Sequence, residues 1–134
     1  MSAPNLYDYV DQDTFKQLLE LDDEDDHSFS YSTVSSFFTQ TELALREMES
    51  ALTRRDLLKV SHLGFSLKGT SGAIGAFRIQ KSSEKLQDYG HCIDGSNSIT
   101  VEEAWELIPP LVSTIKTDYH GTEKALKSFY AEDD

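Results

Sequence analysis

Apolar residues recur at steps of three and four along most of this 134-residue chain. That spacing places side chains on one face of an α-helix. The clearest stretch predicts a helix over about residues 28–51, and no stretch alternates apolar and polar residues as a half-buried strand does. The buried stripe of this predicted helix comprises Val34, Phe37, Phe38, Thr41, Leu45, Met48 and Leu52. The pattern predicts an all-α protein.

Capping residues and glycines divide the rest of the chain into further helices. Asp13 is expected to cap a short first helix. Two more helices are expected over about 56–75 and 77–89, the second ending at Gly90. A last helical region begins where Thr100 and Glu103 have capping-box spacing, and Pro109-Pro110 should kink or restart it. Together these elements predict a four-helix up-and-down bundle with a short extra N-terminal helix.

The length fits one domain over residues 1–134, with flexible tails at 1–10 and 131–134. An acidic run at 22–26 precedes the second helix, where negative charge favours the N-terminal end of the dipole. The run lacks the alternating ligands and glycine of a calcium loop. The single Glu-x-x-His spacing, Glu24 to His27, has no second copy. The sequence therefore predicts no metal site and no cofactor.

The net charge of −12 argues against binding to nucleic acid or to anionic membranes, because both require a basic face. No apolar run approaches the roughly 20 residues that a membrane-spanning helix needs. The single cysteine, Cys92, cannot form an internal disulfide, which indicates a reducing compartment. We expect a monomer in the cytoplasm, with the nucleus as a second location.

The glycine-rich segment over residues 63–75 is the most informative part of the third helix. On a helical wheel its apolar residues form a core arc, and Phe65 lies outside that arc. Each helical glycine costs roughly 1 kcal/mol relative to alanine, which favours a surface that another protein must approach closely. The positions grouped with Phe65 are Ser61, Lys68 and Gly72, with His62 and Gly69 a little further round.

Residues 63–69, which read Leu-Gly-Phe-Ser-Leu-Lys-Gly, resemble the His-x-x-Lys-Gly signature of fungal-type histidine-containing phosphotransfer (HPt) proteins. Phe65 stands where the family has its histidine. The resemblance implies that Lys68 balances phosphate charge, that Gly69 leaves room for the phosphoryl group, and that Gln87 matches a glutamine that orients the histidine ring. The match also includes the acidic turn at 22–26, Phe37-Phe38 and the terminal Phe129-Tyr130.

The histidine of that family accepts a phosphoryl group from an aspartate on one receiver domain and passes it to another. Phenylalanine has no lone pair to offer phosphorus, so this chain is predicted to be inactive in transfer. His62 is a poor substitute, because a register shift that used it would break the match at Lys68, Gly69 and Gln87. Two accounts of Phe65 stay open: a deliberate phospho-null substitution, or a natural pseudo-HPt protein.

By resemblance, the expected partners are receiver domains of a hybrid histidine kinase and of response regulators. The expected docking residues are Thr14, Leu18, Leu21, Phe29, Ser61, His62, Phe65, Lys68, Gly69 and Gly72. The alternative is a helical adaptor unrelated to phosphorelay, in which the glycine segment is a helix-packing seam. The alternative predicts that Phe65 and Gly69 are buried.

Overall fold

The computed structural model describes residues 5–132 and consists almost entirely of helices. A 3-10 turn over Leu6–Asp8 precedes the first α-helix. The α-helices are α1 Gln12–Leu19, α2 Ser28–Arg54, α3 Leu57–Ile74, α4 Phe77–Gly90 and α5 Val101–Glu132. The long helices α2 to α5 form the bundle and α1 is the short extra helix, so the predicted fold class is confirmed. None of the described helices is both long and apolar enough to cross a membrane.

Helix α3 packs between its two neighbours in the chain. It contacts α2 on one side and α4 on the other, and α5 closes the bundle against α4 and α2. The core between the helices is apolar, and its fully buried side chains include Phe37, Met48, Leu67, Leu86 and Ile115. One face of α3 is left without a neighbouring helix of the bundle, because α5 lies across the core from it.

Residues 5–10, which were predicted to belong to a flexible tail, pack on the bundle, whereas residues 1–4 lie outside the described part. Val10 is fully buried, and the ring of Tyr9 packs directly on Gly121 of α5. The guanidinium of Arg78 lies 4.6 Å from the centre of the Tyr9 ring. The sequence pattern missed this segment because its burial depends on a glycine and an arginine that are distant in sequence.

Two further expectations at helix ends need correction. Asp11, not Asp13, caps α1, since its carboxylate accepts a hydrogen bond from the backbone N–H of Thr14 at 2.9 Å. Helix α5 continues through Pro109 and Pro110, so of the predicted kink or restart the restart is wrong. Both prolines are exposed, and the helix continues without the two backbone N–H groups that they lack. At the other chain end, residue 131 is still helical, and residues 133–134 lie outside the described part.

The loop between α4 and α5 contains a minimal hairpin that the sequence pattern did not predict. Strand β1 (Ile93–Asp94) pairs antiparallel with β2 (Asn97–Ser98). Gly95 begins the two-residue turn with a φ of +64°, a conformation that glycine adopts without strain. The capping box that follows is confirmed: Glu103 N–H donates to Thr100 Oγ1 at 3.1 Å, and Thr100 N–H donates to Glu103 Oε1 at 3.2 Å.

The acidic loop at 22–26 caps α2, as predicted. The carboxylate of Asp22 accepts hydrogen bonds from Ser30 N–H at 2.7 Å and from Ser30 Oγ at 2.6 Å. Its Oδ2 also lies 2.9 Å from Nδ1 of His27, and the hydroxyl of Tyr130 donates to Ser30 Oγ at 2.8 Å. Asp22 therefore ties the loop and the start of α2 to the end of α5. No three His, Cys, Asp or Glu side chains within residues 5–132 are grouped to hold a metal ion.

We predict that Asp22→Asn destabilises the protein by about 1–3 kcal/mol near neutral pH, because it weakens hydrogen bonds to a charged group that is almost fully buried. Burial raises the pKa of the Asp22 carboxyl, but hydrogen bonds from Ser30 and His27 outweigh burial and hold that pKa below 3.8. Because the folded-state pKa is lowered, the carboxylate stabilises the protein at pH values above the pKa that Asp22 has in the unfolded chain. This contribution is lost as the pH falls through the pKa that Asp22 has in the folded protein.

Urea unfolding at pH 7 and at pH values below 3.8 measures both effects. Asp25→Asn is the matched control, because it removes the same charge from an exposed residue of the same loop. Equal stability of the two variants at pH 7 would contradict the role assigned to Asp22. A deficit of Asp22→Asn that grows towards low pH would have the wrong sign for a lowered pKa.

Candidate functional site

The exposed face of α3 is an uncharged stripe in a strongly acidic chain. Six residues of the helix are exposed, and all six lie within about 100° of one another at 100° per residue. We call them the α3 stripe: Leu58, His62, Phe65, Ser66, Gly69 and Ala73. In a chain with a net charge of −12, such a strip of neutral and apolar groups differs from the rest of the surface, and exposed apolar patches are often interaction sites.

Phe65 stands at the middle of the α3 stripe with 65% of its surface exposed. One turn further on, a Cβ placed on Gly69 would have no atom within 4 Å. These two residues line a shallow depression together with Ser66, Lys68 and Thr70. The adaptor alternative required Phe65 and Gly69 to be buried, and that expectation is wrong.

Lys68 follows Phe65 by three residues, so it lies one turn along the helix at the edge of the stripe. It forms no ion pair with any residue in the described part of the chain, whereas Lys59 pairs with Glu47 at 3.8 Å and Arg78 with Asp118 at 3.5 Å. The side chain of Lys68 is half-buried. Its charge is therefore available to an acidic group that approaches Phe65.

Helix α4 covers one flank of the face predicted for docking. Ser61 is only 1% exposed, and its Oγ lies 2.6 Å from Nε2 of His91. Gly72 is half-buried, since its Cβ would meet the side-chain nitrogen of Gln80 at 2.9 Å. Ser61, predicted as a docking residue, is therefore not accessible on this surface, and access to Gly72 is partly blocked.

Two glycines bring α4 this close to α3. A Cβ on Gly64 would lie 2.6 Å from the backbone N of Gln87 and 2.8 Å from the carbonyl oxygen of Ser83. A Cβ on Gly90 would lie 2.6 Å from the backbone N of Ser61. Gly90 is the last residue of α4, not a residue beyond its end. The close approach also sets Gln87 beside the turn of α3 that carries Phe65, and its side chain is half-buried.

The docking residues predicted in α1 and at the start of α2 differ in how exposed they are. Leu21 and Phe29 are both exposed. Leu18 is buried in the core, because the apolar face of α1 points at the bundle, so little of its surface is accessible to a partner. Thr14 is half-buried, and its hydroxyl donates to the Asp11 carboxylate at 2.8 Å.

Two exposed leucines, Leu43 and Leu58, were not predicted from the sequence as part of this surface. Leu58 belongs to the α3 stripe, and its position seven residues before Phe65, almost the same direction on the wheel, was a usable signal. Leu43 belongs to α2, and only the packing of α2 on α3 places it near the stripe. No pattern within the sequence of α2 indicates that placement.

The arrangement of helices and the exposed face define a helical bundle of the HPt type. The crystal structure of yeast YPD1p superposes with a TM-score of 0.79 at 19% identity, covering 92% of this chain and 95% of that one. The histidine-containing phosphotransfer protein MtHPt2 of Medicago truncatula superposes with a TM-score of 0.76 at 21% identity, covering 92% of this chain and 78% of that one. No protein-family model matches the chain.

Sequence relatives point to the same class of protein. Multistep phosphorelay regulator 1 of Schizosaccharomyces pombe is 38% identical over 90% of this chain and 42% of its own length. Phosphorelay intermediate protein YPD1 of Candida albicans is 36% identical over 66% of this chain and 47% of its own length. Pseudo histidine-containing phosphotransfer protein 6 of Arabidopsis thaliana is 29% identical over 60% of this chain and 58% of its own length.

The homologues of this chain are thus phosphorelay proteins of the HPt type, with a pseudo-HPt protein among them. The chain spans less than half the length of the two phosphorelay relatives from fungi.

Proposed function

We propose that this chain docks receiver domains of a hybrid histidine kinase and of response regulators through the α3 stripe, without carrying a phosphoryl group. The observation that supports this function is the surroundings of Phe65. Phe65 is exposed beside a glycine with open space around it, and Lys68 lies one turn away without an ion pair in the described part of the chain. The phosphorelay proteins among the relatives support the same class of partner.

The chemistry of Phe65 separates binding from transfer. Phosphoryl transfer to an HPt protein requires a nitrogen lone pair that attacks phosphorus. The phenyl ring is close to imidazole in size but has no such lone pair. Lys68 still presents a positive charge to the acidic pocket in which a receiver carries its phosphorylated aspartate. The expected result is a complex that occupies the receiver and leaves its phosphate in place.

Both accounts of Phe65 lead to this behaviour. A phospho-null substitution in a relay protein and a natural pseudo-HPt protein each keep the docking surface and lose the nucleophile. The name of the Arabidopsis thaliana relative, a pseudo histidine-containing phosphotransfer protein, supports the second account. The codon at position 65 in the source gene distinguishes the two.

We predict that Gly69→Gln weakens binding of a receiver domain by about tenfold or more. The space next to Gly69 is open in the free protein, so the variant folds normally. A glutamine side chain would project into the surface that the partner must approach closely, and a loss of about 1.4 kcal/mol already corresponds to a factor of ten. Titration calorimetry with an isolated receiver domain measures the change in Kd.

Ser113→Gln is the control for that titration. Ser113 is an exposed residue of α5, so the same side chain is added on a helix that lies across the core from the α3 stripe. The control variant should bind the receiver like the unmodified chain. If Gly69→Gln and Ser113→Gln bind with the same Kd, the α3 stripe is not the docking surface.

A further inference from the structure

Leu58 extends the α3 stripe away from the residues that the HPt resemblance assigned to docking. It is 59% exposed and precedes Phe65 by seven residues. At 1.5 Å per residue it lies about 10 Å from Phe65 along the axis of α3, on almost the same side of the helix. Phe65 thus has an exposed apolar neighbour on its N-terminal side.

Leu43 of α2 is level with the same part of α3. Two contacts fix how the antiparallel helices align: Thr70 Oγ1 donates to Gln40 Oε1 at 3.0 Å, and Lys59 Nζ lies 3.8 Å from Glu47 Oε1. Leu43 is midway between Gln40 and Glu47, one turn from each and on the same face of α2. It is therefore level with residues 62–66 of α3, and it is 50% exposed.

The charged groups around the two leucines are few and of both signs. Lys59 and Glu47 pair with each other at 3.8 Å, and the exposed Arg46 and Arg55 each stand three residues from one of the leucines. The α3 stripe between Leu58 and Phe65 contributes only His62. A partner that covers this area must present apolar atoms here, in contrast to the acidic group expected opposite Lys68.

The dimensions match a single bound domain. A standard interface buries about 800 Å² on each partner, which is a patch roughly 30 Å across. The α3 stripe from Leu58 to Ala73 is about 22 Å long, and packed helices lie about 8–10 Å apart. A domain that covers Phe65 and Gly69 therefore has room to cover Leu58 and Leu43 in the same interface.

We propose that Leu43 and Leu58 form an apolar contact site for the receiver domain that docks on Phe65. This inference rests on the proposed function and adds residues that the HPt resemblance did not assign. The receiver contributes apolar surface next to its phosphorylation pocket, and the two leucines set how strongly that surface is held. They contribute to the affinity for the receiver and take no part in chemistry.

Leu43→Gln and Leu58→Gln test the contact site by titration of the full chain with an isolated receiver domain of a hybrid histidine kinase. We expect each variant to raise Kd about fivefold and the double variant to raise it more than tenfold, as burial of part of a leucine side chain requires. Leu107→Gln, at an exposed leucine of α5, is the matched control and should leave Kd unchanged. Thermal unfolding of each variant checks that the fold is intact.

The outcomes separate this inference from the proposed function. If the unmodified chain binds the receiver and Gly69→Gln weakens binding, but both leucine variants bind like Leu107→Gln, only the leucine contact site is refuted. If the unmodified chain binds no receiver, the proposed function fails and the contact site fails with it. If the leucine variants change self-association on size-exclusion chromatography and leave receiver binding intact, the occupant is a second copy and the proposal is wrong.

Discussion

Phe65→His should turn a chain that takes up no phosphate into one that a phosphorylated receiver domain labels. The position is exposed, Gly69 leaves open space next to it, and Lys68 has no ion pair in the described part of the chain. The introduced imidazole supplies the missing lone pair. A ring nitrogen forms a bond to phosphorus, the aspartate oxygen of the receiver leaves as a carboxylate, and the phosphoryl group moves without any redox change.

A labelled receiver domain, mixed with the full chain and separated by gel electrophoresis, measures this transfer. The unmodified chain should show no label and Phe65→His should show label that is lost in acid, as a phosphoramidate is. Phe65→Gln is a useful second control, because it adds a polar group of similar reach without a nucleophilic ring. His62→Gln in the Phe65→His background should keep its label.

Two results would overturn the assignment of position 65. Label on the unmodified chain that disappears in His62→Gln would make His62 the phosphoacceptor and would end the phospho-null interpretation. Alternatively, Phe65→His could bind its receiver with unchanged Kd and still accept no phosphate. Position 65 would then lie in the docking surface but away from the phosphorylated aspartate.

The sequence predicted the fold because its main determinants are local. The three- and four-residue spacing of apolar residues in α2 requires a helix with one buried face, and Val34, Phe37 and Met48 are buried. The capping box of Thr100 and Glu103 lies within one turn and forms both of its hydrogen bonds. Neither signal depends on a distant part of the chain.

The candidate site was predicted less completely than the fold. A helical wheel shows in which direction each side chain of α3 points, but it does not show which other helices pack against α3. It placed Phe65 correctly outside the core arc, yet it could not show which flank of α3 another helix covers. Gly64 and Gly90 let α4 approach closely, and α4 then buries Ser61. The exposed arc is shifted towards α2 as a result, which is why Ser61 is buried although the wheel groups it with Phe65.

Features that join distant segments left no local signal. The burial of Val10 requires the segment at residues 5–10 to lie on the bundle. The ring of Tyr9 packs on Gly121, and the guanidinium of Arg78 packs on the same ring. The placement of Leu43 requires the alignment of α2 with α3. Each of these depends on tertiary contacts, so the apolar spacing within a single helix contains no trace of them.

Alanine substitutions at Gly64 and Gly69 should change the stability of the protein in opposite directions. Both residues are inside α3, so both substitutions gain helix propensity of up to about 1 kcal/mol. At Gly64 the new Cβ would lie 2.6 Å from the backbone N of Gln87 and 2.8 Å from Ser83 O. Backbone atoms cannot rotate away as a flexible side chain does, so α4 must shift, and overpacking of this kind costs about 1–3 kcal/mol.

At Gly69 the new Cβ meets nothing within 4 Å, so the propensity gain stays uncompensated and stability should rise by about 0.5–1 kcal/mol. Urea unfolding followed by circular dichroism measures both free energies of unfolding. Gly90→Ala should behave like Gly64→Ala, because its Cβ would lie 2.6 Å from Ser61 N. If Gly64→Ala and Gly69→Ala both stabilise the protein, the seam between α3 and α4 is not closely packed. If both destabilise it, Gly69 is not on open surface, and the argument that its missing side chain serves docking fails.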